Sequence, residues 1–219
     1  MVNFLKVAPS TDPAPNLEEL LCYIKKINGV ADFLHVDVMN SNFVGRDTLS
    51  PQDVKEIYLK TICPLDVHLM INEPKKQIKN FIMSGALFVT VHYEAFKNKK
   101  TLIRTLKRIR KLKALSGLAI NPQTEVIEIM PYLSYCDLVL VMSVEPGFSG
   151  QKFMESACLK VKKLKQIKDD YGGNYYIEVD GGINPDISNR LKIYGADIVV
   201  SGGYVYNSEN RHNAIDELR

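Results

Sequence analysis

Two short apolar segments of this 219-residue chain carry histidine and aspartate at alternate positions. They read His35-Val-Asp-Val-Met39 and Asp66-Val-His-Leu-Met70, and a third segment, Glu178-Val-Asp-Gly-Gly182, repeats the spacing with two carboxylates. Residues two apart project from the same face of a β-strand, so each segment presents its polar side chains together. Charged and imidazole groups are costly to bury without a partner, so these segments are candidates for a reactive site.

If the three segments end at the same edge of a fold, two imidazoles and two carboxylates surround one point: His35, Asp37, His68 and Asp180. Such a set binds one borderline divalent transition metal, and zinc, iron(II), manganese and cobalt all suit it. Taken singly, a histidine in an apolar strand is more often a hydrogen-bonded core residue, and an aspartate at a strand end is more often a helix cap. The joint pattern favours the metal, because buried carboxylates are destabilising unless they are paired or bound to a cation.

Three methionines, Met39, Met70 and Met142, also fall near the ends of apolar segments. A single methionine is usually core filler. Together, the three would form a polarizable wall from which water is excluded and against which a substrate carbon could react. We therefore include them among the residues expected to contact a substrate.

Three turns are rich in glycine: Glu145-Pro-Gly-Phe-Ser-Gly-Gln151, Asp180-Gly-Gly-Ile-Asn184 and Ser201-Gly-Gly-Tyr204. Glycine lets backbone N–H groups approach a phosphate closely. One glycine pair is more often an ordinary tight turn, but the succession of turns favours an anion site. The residues expected to bind a phosphorylated substrate here are Gly147, Phe148, Ser149, Gly150, Gly181, Gly182, Gly202 and Gly203.

Short apolar runs alternate with amphipathic segments along the whole chain, and the runs are too uniformly apolar for half-exposed strands. Predicted strands are Leu5–Pro9, Phe33–Val38, Leu65–Ile71, Phe88–Tyr93, Gly117–Asn121, Leu138–Val144, Tyr175–Val179 and Ile198–Ser201. Predicted helices include Leu17–Ile27, Pro74–Ser84, Thr101–Leu112, Ser156–Asp169 and Pro185–Ile193, with Asn16 and Asn184 as caps.

This alternation indicates an α/β protein, either a closed barrel or an open doubly wound sheet. Eight strand–helix units in this length favour a (β/α)8 TIM barrel formed by residues 1–219 as a single domain. The turn after the first strand, Pro9-Ser-Thr-Asp-Pro13, lacks the glycine fingerprint of a dinucleotide-binding sheet. Barrel enzymes carry their active sites at the carboxyl ends of the strands, where the polar segments described above would meet.

The composition and charge of the chain argue against a nucleic-acid-binding protein. The chain is 46% apolar and 24% charged, with a net charge of +3 that is too small to indicate a nucleic-acid partner. Residues 97–113 are strongly basic and could be read as a nucleic-acid patch. We favour the outer face of a helix that turns Leu102, Ile103, Leu106 and Ile109 inward, because no binding motif accompanies the charges. No nucleic acid is therefore expected as a partner, and a homo-oligomer stays open.

The cysteines favour a reducing compartment. Cys22, Cys63, Cys136 and Cys158 form no C-x-x-C pair, and all but Cys63 lie in apolar stretches, so free, buried thiols are expected. The amino terminus has no basic-then-apolar leader pattern, and no run approaches the roughly 18 apolar residues of a membrane span. The prediction is a cytoplasmic protein without a membrane partner.

The polar strand ends and the glycine turns together resemble the ribulose-phosphate 3-epimerase family. Further segments that carry this resemblance are Val91-His-Tyr-Glu94, Gly117-Leu-Ala-Ile-Asn-Pro122, Val141-Met-Ser-Val-Glu-Pro-Gly-Phe-Ser-Gly-Gln-Lys-Phe153 and Gly195-Ala-Asp-Ile-Val-Val-Ser-Gly202. The resemblance implies an isomerase of carbohydrate metabolism that interconverts D-ribulose 5-phosphate and D-xylulose 5-phosphate in the pentose phosphate pathway.

By the same resemblance, His35, Asp37, His68 and Asp180 are the ligands of one divalent metal, and Asp37 and Asp180 are also the catalytic acid and base. Ser10 and His68 are expected to contact the sugar phosphate; His92 matches a position near the site without an assigned role. Two carboxylates suit an epimerisation, because a proton must leave one face of a carbon and return to the other. The metal would stabilise the enediolate formed in between.

The chain departs from the family pattern in loops. After Ser10 it reads Thr-Asp-Pro-Ala-Pro15, which is shorter than usual, and after Met39 it reads Asn-Ser-Asn-Phe-Val-Gly-Arg46. Gly202-Gly203 replaces the usual glycine–serine pair. These loops border the substrate, so an epimerase of another ketose phosphate, such as allulose 6-phosphate, is an alternative. A catalytically weakened sugar-phosphate-binding barrel is another, but the intact aspartate pair argues against it.

Overall fold

The computed structural model describes residues 4–219, and these residues contain eight parallel strands. The strands are β1 Lys6–Pro9, β2 Leu34–Met39, β3 Leu65–Met70, β4 Ala86–His92, β5 Leu115–Ile120, β6 Leu138–Met142, β7 Tyr176–Asp180 and β8 Ile198–Ser201. They form one sheet in the order β1-β8-β7-β6-β5-β4-β3-β2. A parallel bridge between Ser10 and His35 joins the two ends of this order. The predicted (β/α)8 TIM barrel is therefore confirmed.

Helices follow the strands. They are α1 Leu17–Ile27, α2 Ser41–Val44, α3 Pro51–Lys60, α4 Ile78–Met83, α5 Lys99–Lys111, α6 Val126–Ile129, α7 Ser156–Tyr171, α8 Pro185–Tyr194, α9 Gly203–Tyr206 and α10 Arg211–Asp216. The predicted caps are confirmed: the side chains of Asn16 and Asn184 accept N–H bonds at the starts of α1 and α8. The single helix predicted over Pro74–Ser84 is wrong. It is divided into a 3₁₀ turn, Pro74–Lys76, and α4, after Glu73 takes a left-handed conformation with φ of 51°.

Two apolar layers hold the fold together. The larger layer lies between the strands and the surrounding helices, and the smaller one fills the inside of the barrel. Every residue of β2 and of β3 is buried, so both faces of these strands are covered. This explains why the residues between the polar positions, such as Leu34, Val36 and Val38 of β2, are all apolar, as expected for strands of a parallel sheet. The residues of the inner layer are Ala8, Phe33, Phe88, Ala119, Leu138, Leu140, Met142, Val144, Ile198 and Val200.

The register between β2 and β3 sets polar residues side by side. His35 pairs with Asp66, Asp37 with His68 and Met39 with Met70. Across the barrel, Met142 on β6 pairs with Asp180 on β7. Because the strands are parallel, these groups lie at the same end of the barrel, where the strands finish.

One of the four cysteines is not buried as predicted. All four cysteines are free, and Cys63, Cys136 and Cys158 are buried, but Cys22 is exposed. The expectation of a buried thiol at Cys22 is wrong, because α1 buries its opposite face through Leu20, Tyr23, Ile24 and Ile27. In the basic helix α5, Leu102, Leu106 and Ile109 face the core, as predicted. Among the described residues, no helix is both long and apolar enough to cross a bilayer.

Candidate active site

Four polar side chains meet at the carboxyl ends of β2, β3 and β7. His35 Nε2 lies 3.2 Å from His68 Nδ1 and 3.5 Å from Asp37 Oδ1. His68 Nδ1 lies 3.4 Å from the same Asp37 oxygen, and Asp180 Oδ2 lies 3.9 Å from His35 Nε2. Both imidazoles are fully buried, whereas 17% of the Asp180 side chain remains exposed. The four residues predicted as metal ligands are therefore brought together.

The donor atoms of this cluster suit a divalent transition metal. One ligand atom from each residue lies within 4.8 Å of the other three. Metal–ligand bonds of about 2.0–2.2 Å place neighbouring ligand atoms roughly 3.0–3.5 Å apart, close to the four separations of 3.2–3.9 Å given above. Two neutral imidazoles and two carboxylates also balance a doubly positive ion. The cluster could therefore hold zinc, iron(II), manganese or cobalt, and the donor types do not choose among them.

A second group of possible ligands, His35, Asp66 and Glu178, lies deeper in the barrel. Here His35 Nδ1 and Asp66 Oδ2 are only 2.5 Å apart. That separation fits a hydrogen bond and is too short for a metal bonded to both atoms. Asp66 therefore accepts the Nδ1–H of His35, which leaves His35 Nε2 to face the first cluster.

The surroundings of this deeper group shift the pKa values of Glu178 and His35. Burial, followed by the charge of Asp66, raises the pKa of Glu178 well above its usual range. Burial lowers the pKa of His35, but the Asp66 and Asp37 carboxylates outweigh it and the pKa is raised well above its ordinary value. Because Asp66 accepts the proton on Nδ1, a bound metal would take Nε2 of His35 in competition with a proton.

Asp37 and Asp180 have pKa values that lie far apart. Burial raises the pKa of Asp37, but His35 and His68 outweigh burial and hold it well below the usual range. Burial and then the charge of Asp37 raise the pKa of Asp180 to about 7. Environments that separate the pKa values of two carboxylates are typical of a catalytic acid and base. A bound cation would stabilise ionised Asp180 and lower its pKa again.

Loop residues after β1 orient the Asp37 carboxylate. Ser10 Oγ donates to Asp37 Oδ2 at 2.6 Å and accepts the backbone N–H of Asp12 at 3.0 Å. The Asp37 backbone N–H in turn donates to Thr11 Oγ1. With one carboxylate oxygen held by Ser10, the other oxygen, Oδ1, is left pointing at the two histidines.

A polar network continues from His68 away from the other ligands. His68 Nε2 lies 2.8 Å from His92 Nε2, and His92 Nδ1 lies 3.2 Å from Glu94 Oε2. Glu94 Oε1 accepts the N–H of Asn121 and the hydroxyl of Thr124. Burial raises the pKa of Glu94, but hydrogen bonds from His92 and Thr124 outweigh burial and lower it. An ionised carboxylate therefore lies at the end of the network.

The loop that receives Glu94 is held by a buried lysine on α7. Lys160 is 5% exposed, and its ammonium donates to the carbonyls of Asn121, Pro122 and Thr124 at 3.0, 2.6 and 2.7 Å. Burial lowers the pKa of Lys160, against nearby carboxylates that raise it. Sequence reasoning missed this residue, because a lysine on an amphipathic helix is ordinarily solvated.

Replacing Lys160 with methionine is expected to lower the free energy of unfolding by about 3 kcal/mol, because three carbonyls lose their shared donor. For a protein of this size the melting temperature should fall by roughly 6–12 °C. Thermal unfolding of Lys160→Met beside Lys163→Met, an exposed lysine of the same helix, measures the effect. Equal melting temperatures for the two variants would contradict it.

A cavity opens above the ligand cluster and is lined by nearly all of the predicted substrate-binding residues. From that set, the lining consists of Ser10, Met39, Met70, Met142, Gly147, Phe148, Ser149, Gly150, Gly181, Gly182, Gly202 and Gly203. His68 does not line the cavity, because its ring is fully buried behind the cluster. The three methionines are almost fully buried and form an apolar wall next to Asp37 and Asp180.

The turn after β7 requires its two glycines. Gly181 and Gly182 have φ values of 120° and 64°. A methyl group on Gly182 would lie 2.6 Å from the backbone nitrogen of Phe153, so only glycine lets this turn approach the loop after β6. Buried Ser143 directs its hydroxyl at the carbonyls of Asp180 and Gly181, at 2.7 and 2.6 Å. Ser143 therefore ties the turn to the end of β6 beside the cavity.

Arg46 links three loops around the mouth of the cavity. It follows α2 and forms an ion pair with Asp12 of the loop after β1. Its Nε donates to the Gly147 carbonyl at 2.6 Å, and its guanidinium lies 5.2 Å from the centre of the Phe148 ring, both in the loop after β6. Sequence reasoning identified the departures from the family in the first two loops. It did not predict that Asp12 and Arg46 contact each other, since nothing local couples them.

Comparison with known proteins identifies the relatives of this chain. Residues 6–206 match the model of the ribulose-phosphate 3 epimerase family. The chain is 40% identical over 217 residues to ribulose-phosphate 3-epimerase of Bacillus subtilis, covering 98% of each chain. It is 41% identical over 189 residues to the enzyme of the same name from Synechocystis, covering 86% of this chain and 82% of that one.

Solved structures with low sequence identity share the fold. The crystal structure of 3-keto-L-gulonate-6-phosphate decarboxylase from Vibrio cholerae matches with a TM-score of 0.72 at 13% identity, covering 98% of this chain and 95% of that one. That likeness concerns architecture alone. The family model covers most of the chain, and the two relatives are 40% and 41% identical to it over most of both sequences. The chain therefore belongs to the ribulose-phosphate 3-epimerase family and is an isomerase of the epimerase type.

Proposed function

We propose that this protein is a metal-dependent 3-epimerase that interconverts D-ribulose 5-phosphate and D-xylulose 5-phosphate. The observation that carries the proposal is the pairing of Asp37 and Asp180, two carboxylates of unlike pKa that share one cluster of metal-binding side chains. The names of the relatives from Bacillus subtilis and Synechocystis support the same reaction and the same substrate.

The metal ligands in this proposal are His35, Asp37, His68 and Asp180. When bound, one divalent ion supplies Lewis-acid stabilisation of the negative charge that develops on the C2 and C3 oxygens of the substrate. The two histidines are neutral donors, and the two aspartates neutralise the charge of the ion. Which of zinc, iron(II), manganese and cobalt is used is decided by metal analysis of the purified protein.

Asp37 and Asp180 are the acid and base. One carboxylate removes the C3 proton from one face of the substrate, and the C–H electron pair moves into the enediolate. The other carboxyl, protonated beforehand, returns a proton to the opposite face of C3. After one turnover the two residues have exchanged protonation states, and proton exchange with solvent restores the starting form. The hydrogen bond from Ser10 keeps Asp37 in the orientation that this step requires.

The rest of the cavity holds the substrate. Met39, Met70 and Met142 exclude water from the reacting carbon, which protects the enediolate from side reactions. The glycine turns after β6, β7 and β8 receive the phosphate through backbone N–H groups, as barrels of this kind commonly do with their last loops. The partner is therefore a small sugar phosphate.

The test is turnover in deuterated water. Protein stripped of metal and reloaded with zinc, manganese, iron(II) or cobalt is incubated with ribulose 5-phosphate, and xylulose 5-phosphate and C3 deuterium are measured. Metal-dependent product carrying deuterium at C3 is the expected result. If no metal yields product or exchange, the pentulose assignment is rejected, and the same assay with allulose 6-phosphate separates another ketose phosphate from a barrel that only binds.

Replacing Gly182 with alanine is expected to raise KM by about tenfold or more, because backbone hydrogen bonds to a charged phosphate contribute about 1.5–3 kcal/mol. The added methyl collides with the loop after β6 and displaces the turn. Gly203→Ala is the matched comparison within the phosphate turns, since its methyl would meet nothing nearer than 3.7 Å and the substitution leaves the backbone N–H in place. KM values and inhibition by inorganic phosphate report the effect; equal values in the two variants would place the phosphate elsewhere.

A further inference from the structure

His92 is a fully buried imidazole to which the proposed reaction assigns no role. It ends β4, and the Phe43 ring covers it with its centroid 5.2 Å away. The rings of His92 and His68 are inclined by 21° with centroids 4.9 Å apart. Their Nε2 atoms are 2.8 Å apart, so the rings meet edge to edge, and His92 Nδ1 faces Glu94. Both ring nitrogens of His92 therefore have hydrogen-bond partners.

The positions of the protons follow from which atoms can donate. His68 turns Nδ1 towards His35 and Asp37, so a metal held there would take Nδ1 and leave the ring proton on Nε2. That N–H points at His92 Nε2, which must then be unprotonated to accept it. His92 consequently carries its proton on Nδ1, facing the Glu94 carboxylate, which can only accept. This arrangement satisfies all the contacts at once.

We infer that His92 is a positioning residue that, together with Glu94, fixes His68 in the tautomer that binds a metal through Nδ1. The inference rests on the proposed function, because it takes the four-residue cluster to hold a metal. Metal-bound histidines almost always donate their second N–H to a fixed acceptor, and loss of such an acceptor weakens metal binding about 10–100-fold. Asn121 and Thr124 hold Glu94 in turn, so the orientation is anchored in the loop after β5.

The two histidine ligands differ in their acceptors. His35 donates directly to the Asp66 carboxylate, whereas His68 donates to a neutral ring and a carboxylate lies one residue further out. A direct carboxylate partner makes a histidine a stronger donor to the metal. The cluster already contains the negative charges of Asp37 and Asp180. By keeping the Glu94 charge at a distance, His92 preserves the positive character that a bound ion needs for stabilising the substrate.

Nitrogen-15 NMR of the zinc-loaded protein reads these proton positions directly. The chain has four histidines, and His212, which contacts the Lys26 carbonyl on the outer surface, is an internal reference. The expected result is protonation of His35 on Nδ1, of His68 on Nε2 and of His92 on Nδ1. Protonation of His92 on Nε2, or on both nitrogens, would overturn the inference.

Zinc affinity of variants, measured by competition with a chelator, tests the role itself. His92→Leu removes the acceptor and is expected to weaken zinc binding about 10–100-fold. His92→Gln can present a carbonyl oxygen where Nε2 lay and should recover most of the affinity. Thr90→Val is the matched control, because Thr90 lies on the same strand, is fully buried, and its hydroxyl has no hydrogen-bond partner. If His92→Leu binds zinc as tightly as Thr90→Val does, the inference is wrong.

Glu94→Gln gives an independent readout, since the amide can donate to His92 Nδ1 and drive the His92 proton to Nε2. The expected spectrum shows that shift together with weaker zinc binding, and an unchanged His92 signal would contradict the inference. Zinc binding with the expected protons but without epimerase activity would reject the proposed function alone. Epimerase activity with His92 protonated on Nε2 would reject this inference alone.

Discussion

Asp180→Asn is expected to lower kcat by about 10³-fold or more in both reaction directions, because positioned acid–base groups contribute about 10²–10⁴-fold and the amide can neither accept nor return the C3 proton. An asparagine oxygen can still face the ligand cluster, so metal content should be retained. Asp37→Asn is expected to be as severe. The measurements are kcat, metal content by elemental analysis and C3 deuterium in both epimers.

The Asp37→Asn and Asp180→Asn variants should differ in the epimer whose C3 hydrogen they exchange with solvent. Each retains one of the two proposed groups, so each should catalyse C3 exchange in only one of the two epimers, and the epimer should differ between the variants. Asp12→Asn is the control, because Asp12 also lines the cavity as a carboxylate but is paired with Arg46. It should retain exchange in both epimers. Identical exchange in the two catalytic variants would contradict the assignment of one carboxylate to each face.

Metal removal is expected to destabilise the protein as well as abolish turnover. Without a cation, the carboxylates of buried Asp37 and partly exposed Asp180 lie close together, and the two histidines and the Ser10 hydroxyl are left to offset their charges. A free metal concentration 100 times the dissociation constant stabilises the fold by about 2.7 kcal/mol. For a chain of this length that corresponds to a rise of about 5–10 °C in melting temperature. Scanning calorimetry with zinc and with chelator measures it.

The metal effect should depend on pH. Burial, then Asp37, raises the pKa of Asp180 from 3.8 to about 7 in the metal-free protein. A carboxyl whose pKa is raised by folding stabilises the protein below its unfolded pKa, and that contribution is lost as pH rises through the folded value. The contribution of Asp180 to the stability of the metal-free protein should therefore be lost between about pH 4 and pH 7, while zinc competes with the proton on Asp180 and stabilises the fold increasingly as pH rises. His68→Gln should remove the zinc effect; a zinc effect independent of pH would contradict the account.

The sequence predicted the ligand cluster because it depends on a local rule. Alternation along β2, β3 and β7 determines which side chains face inward, and parallel strands bring their ends together. His35, Asp37, His68 and Asp180 could therefore be assigned to one point before their distances were known. The glycine turns were predictable for a similar reason, since positive φ at Gly181 and Gly182 is a local property of the backbone.

Contacts between distant loops could not be predicted in this way. The role of His92 depends on the register between β3 and β4 and on Glu94, two residues further on. Lys160 has the sequence signature of a solvated helix residue, yet it fills a pocket formed by three carbonyls. Cys22 lies in an apolar stretch, but the phase of α1 directs it outward. In each case a three-dimensional neighbour overrides what the residue type and its flanking sequence indicate.

The contacts of Arg46 affect how ligands enter and leave the cavity. Asp12 lies in the loop after β1 and Phe148 in the loop after β6, and one guanidinium contacts both. Any separation of these two loops from Arg46 requires the ion pair, the hydrogen bond to Gly147 and the contact with the ring to be broken. None of these groups is an assigned acid, base or metal ligand. Ligand entry and product departure can thus be tuned at this arginine, by mutation or by ionic strength, while the proton-transfer machinery stays the same.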